Sequence, residues 1–363
     1  KNKEKIMNKI DKYVLINYIK SFLLGMSMFF LVFLLAESIN VTGWILDNKF
    51  TGAEALRYLW LGLPDIFINT APLGILLGSL LSISKMAQRL EITAMKTSGI
   101  SFARVALFPI IFSFLISLFV FWLNIDMLGN SNKKRSELKS LKLEDVEKVK
   151  SQKDFVLVRT SRNQILYAEK VSKDEGYMKN IEIVNFVGNF EKVETVYTAK
   201  EANLQSNSVW TFTDLKEYNV SNNQTTAIDN SKLTFKVPIN EILADPVKAK
   251  QLTMKELREK SVYFGRVGAD TKDLLIEFYY RISFAFSAFI MSFIGLSLGS
   301  KYVRGGAALN IGLSVIIGYS YYGMSSILKA IAASGTIPIY LACWIPNILF
   351  LYIGIMLFKK AEY

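Results

Sequence analysis

The stretch Tyr58-Leu59-Trp60-Leu61-Gly62-Leu63-Pro64-Asp65-Ile66-Phe67-Ile68-Asn69-Thr70-Ala71-Pro72-Leu73-Gly74-Ile75-Leu76-Leu77-Gly78-Ser79-Leu80-Leu81-Ser82-Ile83-Ser84 decides the class of this chain. Apart from Asp65 it carries no charge, over more than the roughly 20 apolar residues that cross about 30 Å of hydrocarbon. Similar runs flank it. Upstream, Ser21 to Leu46 is broken only by Glu37; downstream, Val105 to Ile125 is uncharged. After a long polar stretch come Ile282 to Ser300, Gly305 to Leu328, and a last run to Phe358 that starts near Ile337, after the turn signal Gly335-Thr336-Ile337-Pro338. The expected fold is an α-helical membrane protein with six transmembrane helices and a large insertion between the third and fourth. Its expected parts are residues 1–125, 126–277 and 278–363.

The composition suits that mixture: 51% hydrophobic and 20% charged residues among 363, with mean hydropathy +0.28. There is no histidine and one cysteine, Cys343. Nucleophilic systems built on an imidazole are therefore excluded, and the usual transition-metal sites lose their ligands. Cys343 cannot close an internal disulfide, so an exported domain must rely on its own core. The net charge of +12 calls for no nucleic acid, because lysine and arginine collect on the cytoplasmic side of membrane proteins. Lys1, Lys3, Lys5, Lys9, Lys12 and Lys20 precede the first span, the 85–104 loop adds four cations, and Lys301, Arg304, Lys359 and Lys360 follow at alternate ends. The opposite loops hold only Lys49, Arg57 and Lys329. Both termini are expected inside and the insertion outside. The first apolar run is long enough to span and no small-residue cleavage site follows it, so it reads as a retained helix.

Within the insertion, Phe155 to Val158, Gln164 to Ala168, Ile181 to Val184, Glu194 to Ala199, Val209 to Phe212 and Leu233 to Val237 alternate as strands do. Gly, Asn, Asp and Ser turns separate them, which is the pattern of a sandwich or jelly roll. The flanks, 131–153 and 245–272, read as helix or linker.

Three spans, an external β-domain and three more spans resemble the permease subunits of the lipopolysaccharide export ABC transporter, the LptF/LptG family. The resemblance is carried by Asp11-Lys12-Tyr13-Val14, by Ala71 through Gly78, by Met86-Ala87-Gln88-Arg89-Leu90-Glu91 with Met95 through Ser101, by Glu277 with Arg281, and by Ser334 through Pro338 with Trp344-Ile345-Pro346-Asn347. The second-helix and loop block looks closer to the G-type subunit. The resemblance implies a multi-pass bacterial inner-membrane protein with a periplasmic jelly-roll domain. It further implies a cytoplasmic ABC ATPase dimer, a second homologous permease chain, and a periplasmic jelly-roll bridge protein, with a single-span jelly-roll membrane subunit as a further candidate partner. The cargo would be lipopolysaccharide or lipooligosaccharide, recognised through lipid A.

The loop 85–104 is the strongest functional segment. Met86, Leu90, Ala94 and Met95 recur at helical spacing, with Arg89, Glu91 and Lys96 on a polar face and Gly99 as terminator, so a short amphipathic surface helix is expected. An ordinary basic connector is the alternative. The resemblance makes this segment the coupling helix that sits in a groove of the ATPase, with Glu91 meeting a basic residue there. No G-x-x-x-x-G-K-[ST] loop occurs, so ATP and Mg²⁺ belong to the partner and no cofactor is expected on this chain.

Charges inside spans are costly and mark candidate sites. Glu37 and Asp65 fall in the outer halves of their helices and are candidates for a cavity; alternatively they lie shallow or pair with Arg57, Lys49 or Arg281. For phosphate recognition the candidates are Arg281, Lys49, Arg57 and Lys329 at outer helix ends, each with the alternative of an interfacial anchor. Gly312 and Gly318 belong to a run of small residues in span five that lets a helix approach closely; by resemblance, spans one and five border a lateral gate for lipid. The rival functions are another ABC-type lipid or lipoprotein-release permease, a membrane sensor with an external β-sandwich, and a membrane enzyme. The loops are too short for a signalling domain, and the spans hold only two isolated carboxylates.

Overall fold

The computed structural model describes residues 9–143, 152–161, 163–173, 175–187, 192–205, 209–222, 224–228, 235–236, 242, 248–267, 270–301 and 306–362. Among the described residues six helical stretches are long and apolar enough to cross a membrane. They are α1 (Lys9–Leu46), α2 (Gly52–Gln88), α4 (Phe102–Asp126), the pair α7 (Lys272–Ala285) and α8 (Ser287–Lys301), α9 (Gly306–Ala333) and α10 (Ile339–Glu362). The short α3 (Glu91–Thr97) joins the second and third spans, and α5 (Leu128–Leu143) and α6 (Met254–Val267) flank the insertion.

Span one starts a full three turns before its apolar run. Asp11, Val14, Tyr18 and Phe22 share one face of α1 and are buried, because the ends of neighbouring helices cover them. Span two begins at Gly52 rather than Tyr58, since Thr51 and Glu54 form a capping box: the Glu54 N–H donates to Thr51 Oγ1 at 3.4 Å and the Thr51 N–H to Glu54 Oε2 at 2.9 Å. Span two is the hub of the bundle. A Cβ at Gly78 would stand 2.6 Å from Phe22 Cα, and one at Gly295 2.5 Å from Ser79 Cβ, so glycine is what lets spans one and four press against span two. Span four breaks at Phe286; the Phe289 N–H, freed by the break, donates to Ser117 Oγ of span three at 2.9 Å.

Among the described residues the insertion contains one antiparallel sheet of eight strands: β1 (Gln152–Ser161), β2 (Gln164–Ser172), β3 (Tyr177–Val187), β4 (Lys192–Leu204), β5 (Val209–Thr213), β6 (Lys216–Asn219), β7 (Gln224–Ala227) and β8 (Phe235–Lys236). Neighbours run β1-β2-β3-β4-β5-β8, and β4 splits: Thr195 to Thr198 pair with β6, while Glu201 to Leu204 pair with β5. Val156 faces Ala168, Ala168 faces Ile181, Leu166 faces Ile183, and Ala202 faces Phe212, all buried on one core with Trp210. The strands expected around residues 155, 165, 182, 196 and 210 lie within β1 to β5. Of the run 233–237, only β8 lies among the described residues. The polar strands β6 and β7 were not anticipated.

The chain divides into two compact units, one of Lys1–Leu143, Ala249–Arg258 and Lys272–Tyr363, the other of Glu144–Lys248 and Glu259–Thr271. Boundaries drawn at 126 and 277 therefore move inward, because α5 and the 249–258 segment pack with the spans.

Candidate functional site

Alternating spans give the bundle two ends. At the end that holds the chain termini, α2 turns into α3 through Leu90, which sits in the left-handed region at φ 59° with its side chain 66% exposed. Helix α3 is seated by Ile92, buried in a cluster with Val14, Tyr18, Ile83, Met86, Phe102 and Ala361. Met95 is partly buried against the same cluster. Glu91 Oε2 accepts from Tyr13 Oη at 2.9 Å, and Arg89 Nη1 stands 3.9 Å from Glu91 Oε1. Lys96 Nζ donates to the Ala361 carbonyl at 3.1 Å. Ser98 caps α3, and Gly99 turns the chain at φ 82° into open space. Nearby, Arg104 clamps the buried Asp11 at 2.7 Å, and the Ala103 N–H donates to Glu362 Oε2 at 2.9 Å.

This geometry corrects the expected inner face of the loop. Met86 is buried, but Leu90 and Ala94 point outward and Ile92 takes the inner position. The reason is the left-handed turn at Leu90, which breaks the helical phase between α2 and α3. Arg89, Leu90, Thr93, Ala94 and Thr97 form the exposed side, a short ridge mixing a cation, an apolar side chain and hydroxyls.

At the other end the four candidate cations differ in setting. Lys49 and Arg57 are exposed, Lys49 in the turn after span one and Arg57 in the first turns of span two. Lys329 is half-buried with its ammonium 3.6 Å from the Tyr280 ring centroid, a cation–π contact. Arg281 is 2% exposed and fully engaged: Nε donates to Glu277 Oε1 at 2.8 Å, Nη1 to the Leu252 carbonyl at 2.7 Å, and Nη2 to the Lys250 carbonyl at 3.1 Å and the Ala249 carbonyl at 3.4 Å. The expectation of Arg281 as an open phosphate receptor gives way to that of a strut, since its donors are spent on the chain itself.

Asp65 Oδ1 accepts from Asn69 Nδ2 at 2.9 Å, and the carboxyl lies within electrostatic reach of Lys250, Glu277 and Arg281. Glu37 pairs with Arg135 of α5, not with Arg57, Lys49 or Arg281. Arg135 and Lys250 are the residues that sequence reading missed; both sit in polar flanks that read as linker. Gly312 faces open space, whereas a Cβ at Gly318 would overlap Leu73 of span two. Phe29 of span one and Ile311 and Val315 of span five gather around Leu73 and Leu77 of span two. Among the described residues no group of three or more His, Cys, Asp or Glu could hold a metal ion.

The family described as lipopolysaccharide export system permease LptF/LptG matches residues 12–360 of this chain. The chain is 22% identical to the lipopolysaccharide export system permease protein LptF of Escherichia coli (strain K12), over 96% of this chain and 94% of that protein, and equally to the protein of that name from Shigella flexneri. These relatives carry the LptF name, where the second-helix and loop block had led to an expectation of the G type; the family match covers both.

Proposed function

The chain belongs to the LptF/LptG family of lipopolysaccharide export permeases, and from that premise we propose that it is one permease subunit of an ABC exporter that takes lipopolysaccharide or lipooligosaccharide out of the inner membrane and hands it to a periplasmic jelly-roll bridge. As a family member it is a multi-pass inner-membrane transport subunit rather than a catalytic enzyme. In the proposal a second permease chain and a cytoplasmic ATPase dimer complete the machine. The termini face the ATPase and the β-sheet faces the periplasm, an orientation supported by the lysine and arginine bias of the short loops.

The observation that carries the reading is α3. It is seated by Ile92, tied to Tyr13 near one terminus and Ala361 near the other, and presents Arg89 and Leu90 outward. A helix so held passes a push from a docked motor to spans one, two and six together. Glu91, Met95, Lys96 and Gly99 shape and seat it. Lifting a multi-chain lipid from a bilayer works against about 0.8 kcal/mol per buried CH₂, which is why a motor and an apolar route are both needed. Spans one and five, each packed on span two, would border that route, with Gly312 on the open face and Gly318 on the packed one. Lys49, Arg57 and Lys329 are the proposed phosphate contacts, and Glu37 and Asp65 the proposed carboxylates of the cavity.

Purification in mild detergent tests this reading: the ATPase, the companion permease and lipid A should elute together. Glu91→Lys should weaken ATPase co-purification or stimulation, at a stability cost of about 1 kcal/mol for the lost Tyr13 hydrogen bond. A partner-free preparation without lipid A would remove the proposal.

A further inference from the structure

Glu37 is a carboxylate in an apolar span, and its partner comes from outside that span. Arg135 of α5 pairs with it, and the guanidinium also lies 4.2 Å from the ring centroid of Tyr58 in span two. Gly62 makes the room, since a Cβ there would stand 3.3 Å from Arg135 Cζ. The neighbouring residues of α5 grip the segment by which the chain returns from the insertion: Ser136 Oγ accepts from Gln251 Nε2 at 2.7 Å, and Asn132 Nδ2 donates to the Lys250 carbonyl at 3.2 Å. At Gly129 the approach is so close that a Cβ would stand 2.5 Å from the Leu252 carbonyl oxygen. The carbonyls of Ala249, Lys250 and Leu252 are in turn held by Arg281 of span four. An unbroken line of contacts thus runs from span one through α5 and the returning segment to span four.

We infer that Arg135 and Arg281 pin a single collar that fixes span one relative to span four at this end of the bundle, and that the Glu37–Arg135 pair is the joint that parts when span one moves. The two pins differ in kind. Releasing Arg281 strands a buried guanidinium, a carboxylate and three carbonyls together, so that joint stays closed. The Glu37–Arg135 pair is a single ion pair between side chains 28% and 14% exposed, so fewer groups lose their partners when it parts. Span one is sparsely buried along its apolar window, and beyond Glu37 its outer end is held by non-directional packing of Val41 and Trp44 with Phe50, Tyr58 and Leu138. Arg135 is on this account a positioning residue, and the inference stands whatever lipid the protein carries.

The test is a pair of spin labels on the full chain in lipid vesicles, at Leu46→Cys and Asp273→Cys in a Cys343→Ser background, read by pulsed electron resonance. The unaltered collar should give one narrow distance. Arg135→Gln and Glu37→Gln should each bring in a second, longer distance, and the exchange variant Glu37→Arg with Arg135→Glu should remove it again. If Arg135→Gln does not fold, Glu37→Gln decides alone, because it places no charge in an apolar span. A single unchanged distance in the folded single variants overturns the inference.

Discussion

Two joints of the helical bundle, α3 at one end and the Arg281 collar at the other, are built on opposite principles. At the terminal end, a seven-residue helix leans on one buried isoleucine and a few side-chain bonds at its margins. At the insertion end, three backbone carbonyls and a carboxylate converge on one buried guanidinium. An apolar anchor is non-directional, so α3 can tilt about Ile92 and stay buried. A buried charge with fixed donors has one good geometry, and departures from it leave polar groups unpaired. The contrast assigns compliance to the end proposed to meet a motor and stiffness to the end where the chain leaves for the β-sheet.

The largest effect is expected where that stiffness is broken. Arg281→Gln leaves Glu277 and up to three carbonyls without their donor in a buried place, and removing one partner of such a pair costs about 3–5 kcal/mol. Thermal unfolding in detergent should show the loss, and Arg281→Lys should recover only part of it, because an ammonium lacks the planar fork that reaches both Glu277 and Leu252. An Arg281→Gln protein as stable as its parent would mean that the insertion end is no stiffer than the other.

Next comes the apolar anchor. Ile92→Ala removes buried methyl groups and should cost about 2 kcal/mol, the low end for such truncations, since a surface helix can settle into the gap. The diagnostic readout is hydrogen exchange: protection should fall across residues 90–100 and hold at residues 276–284. A loss spread equally over both ends would erase the distinction between them.

How much of this was readable beforehand follows the same division. The spans were legible because length and absence of charge suffice to define them, and five strands were legible because Leu166, Ala168, Ile181 and Ile183 alternate. Strands β6 and β7 were not, since Gln224-Thr225-Thr226-Ala227 is wholly exposed and owes its strand form to pairing with β6 rather than to burial. The start of span two was in principle readable, as Thr51 and Glu54 have capping-box spacing. Arg281 stood out together with Glu277 four positions before it, but its other partners lie 29 to 32 positions away as backbone carbonyls, and carbonyls have no sequence signature. Arg135 lay in a stretch rich in lysine where no single cation is distinguished. Leu90 misled because helical periodicity was carried through a turn that resets it.

A smaller test contrasts two glycines of span five. Gly312→Ala meets open space and should gain about 0.5–1 kcal/mol from helix propensity. Gly318→Ala pushes into Leu73 and should lose stability instead. If span five moves against span two during transport, the alanine at 318 should also slow lipid release from reconstituted vesicles, with the one at 312 as its control.

The finest test turns on Leu90, whose position runs against two ordinary preferences. A bulky side chain at φ 59° is strained, by an amount on the order of 1 kcal/mol, and a leucine 66% exposed gains nothing from burial. Within this chain alone Leu90→Gly should therefore be neutral or slightly stabilising, because glycine adopts that conformation freely. If the outward ridge of Arg89, Leu90 and Thr93 is what the motor grips, the same substitution should weaken ATPase association. A variant with a raised melting temperature and an impaired complex would show that the strain is kept for the contact. Stability and association rising together would mean that Leu90 is only a costly turn, and that the compliant end of the bundle is gripped elsewhere along α3.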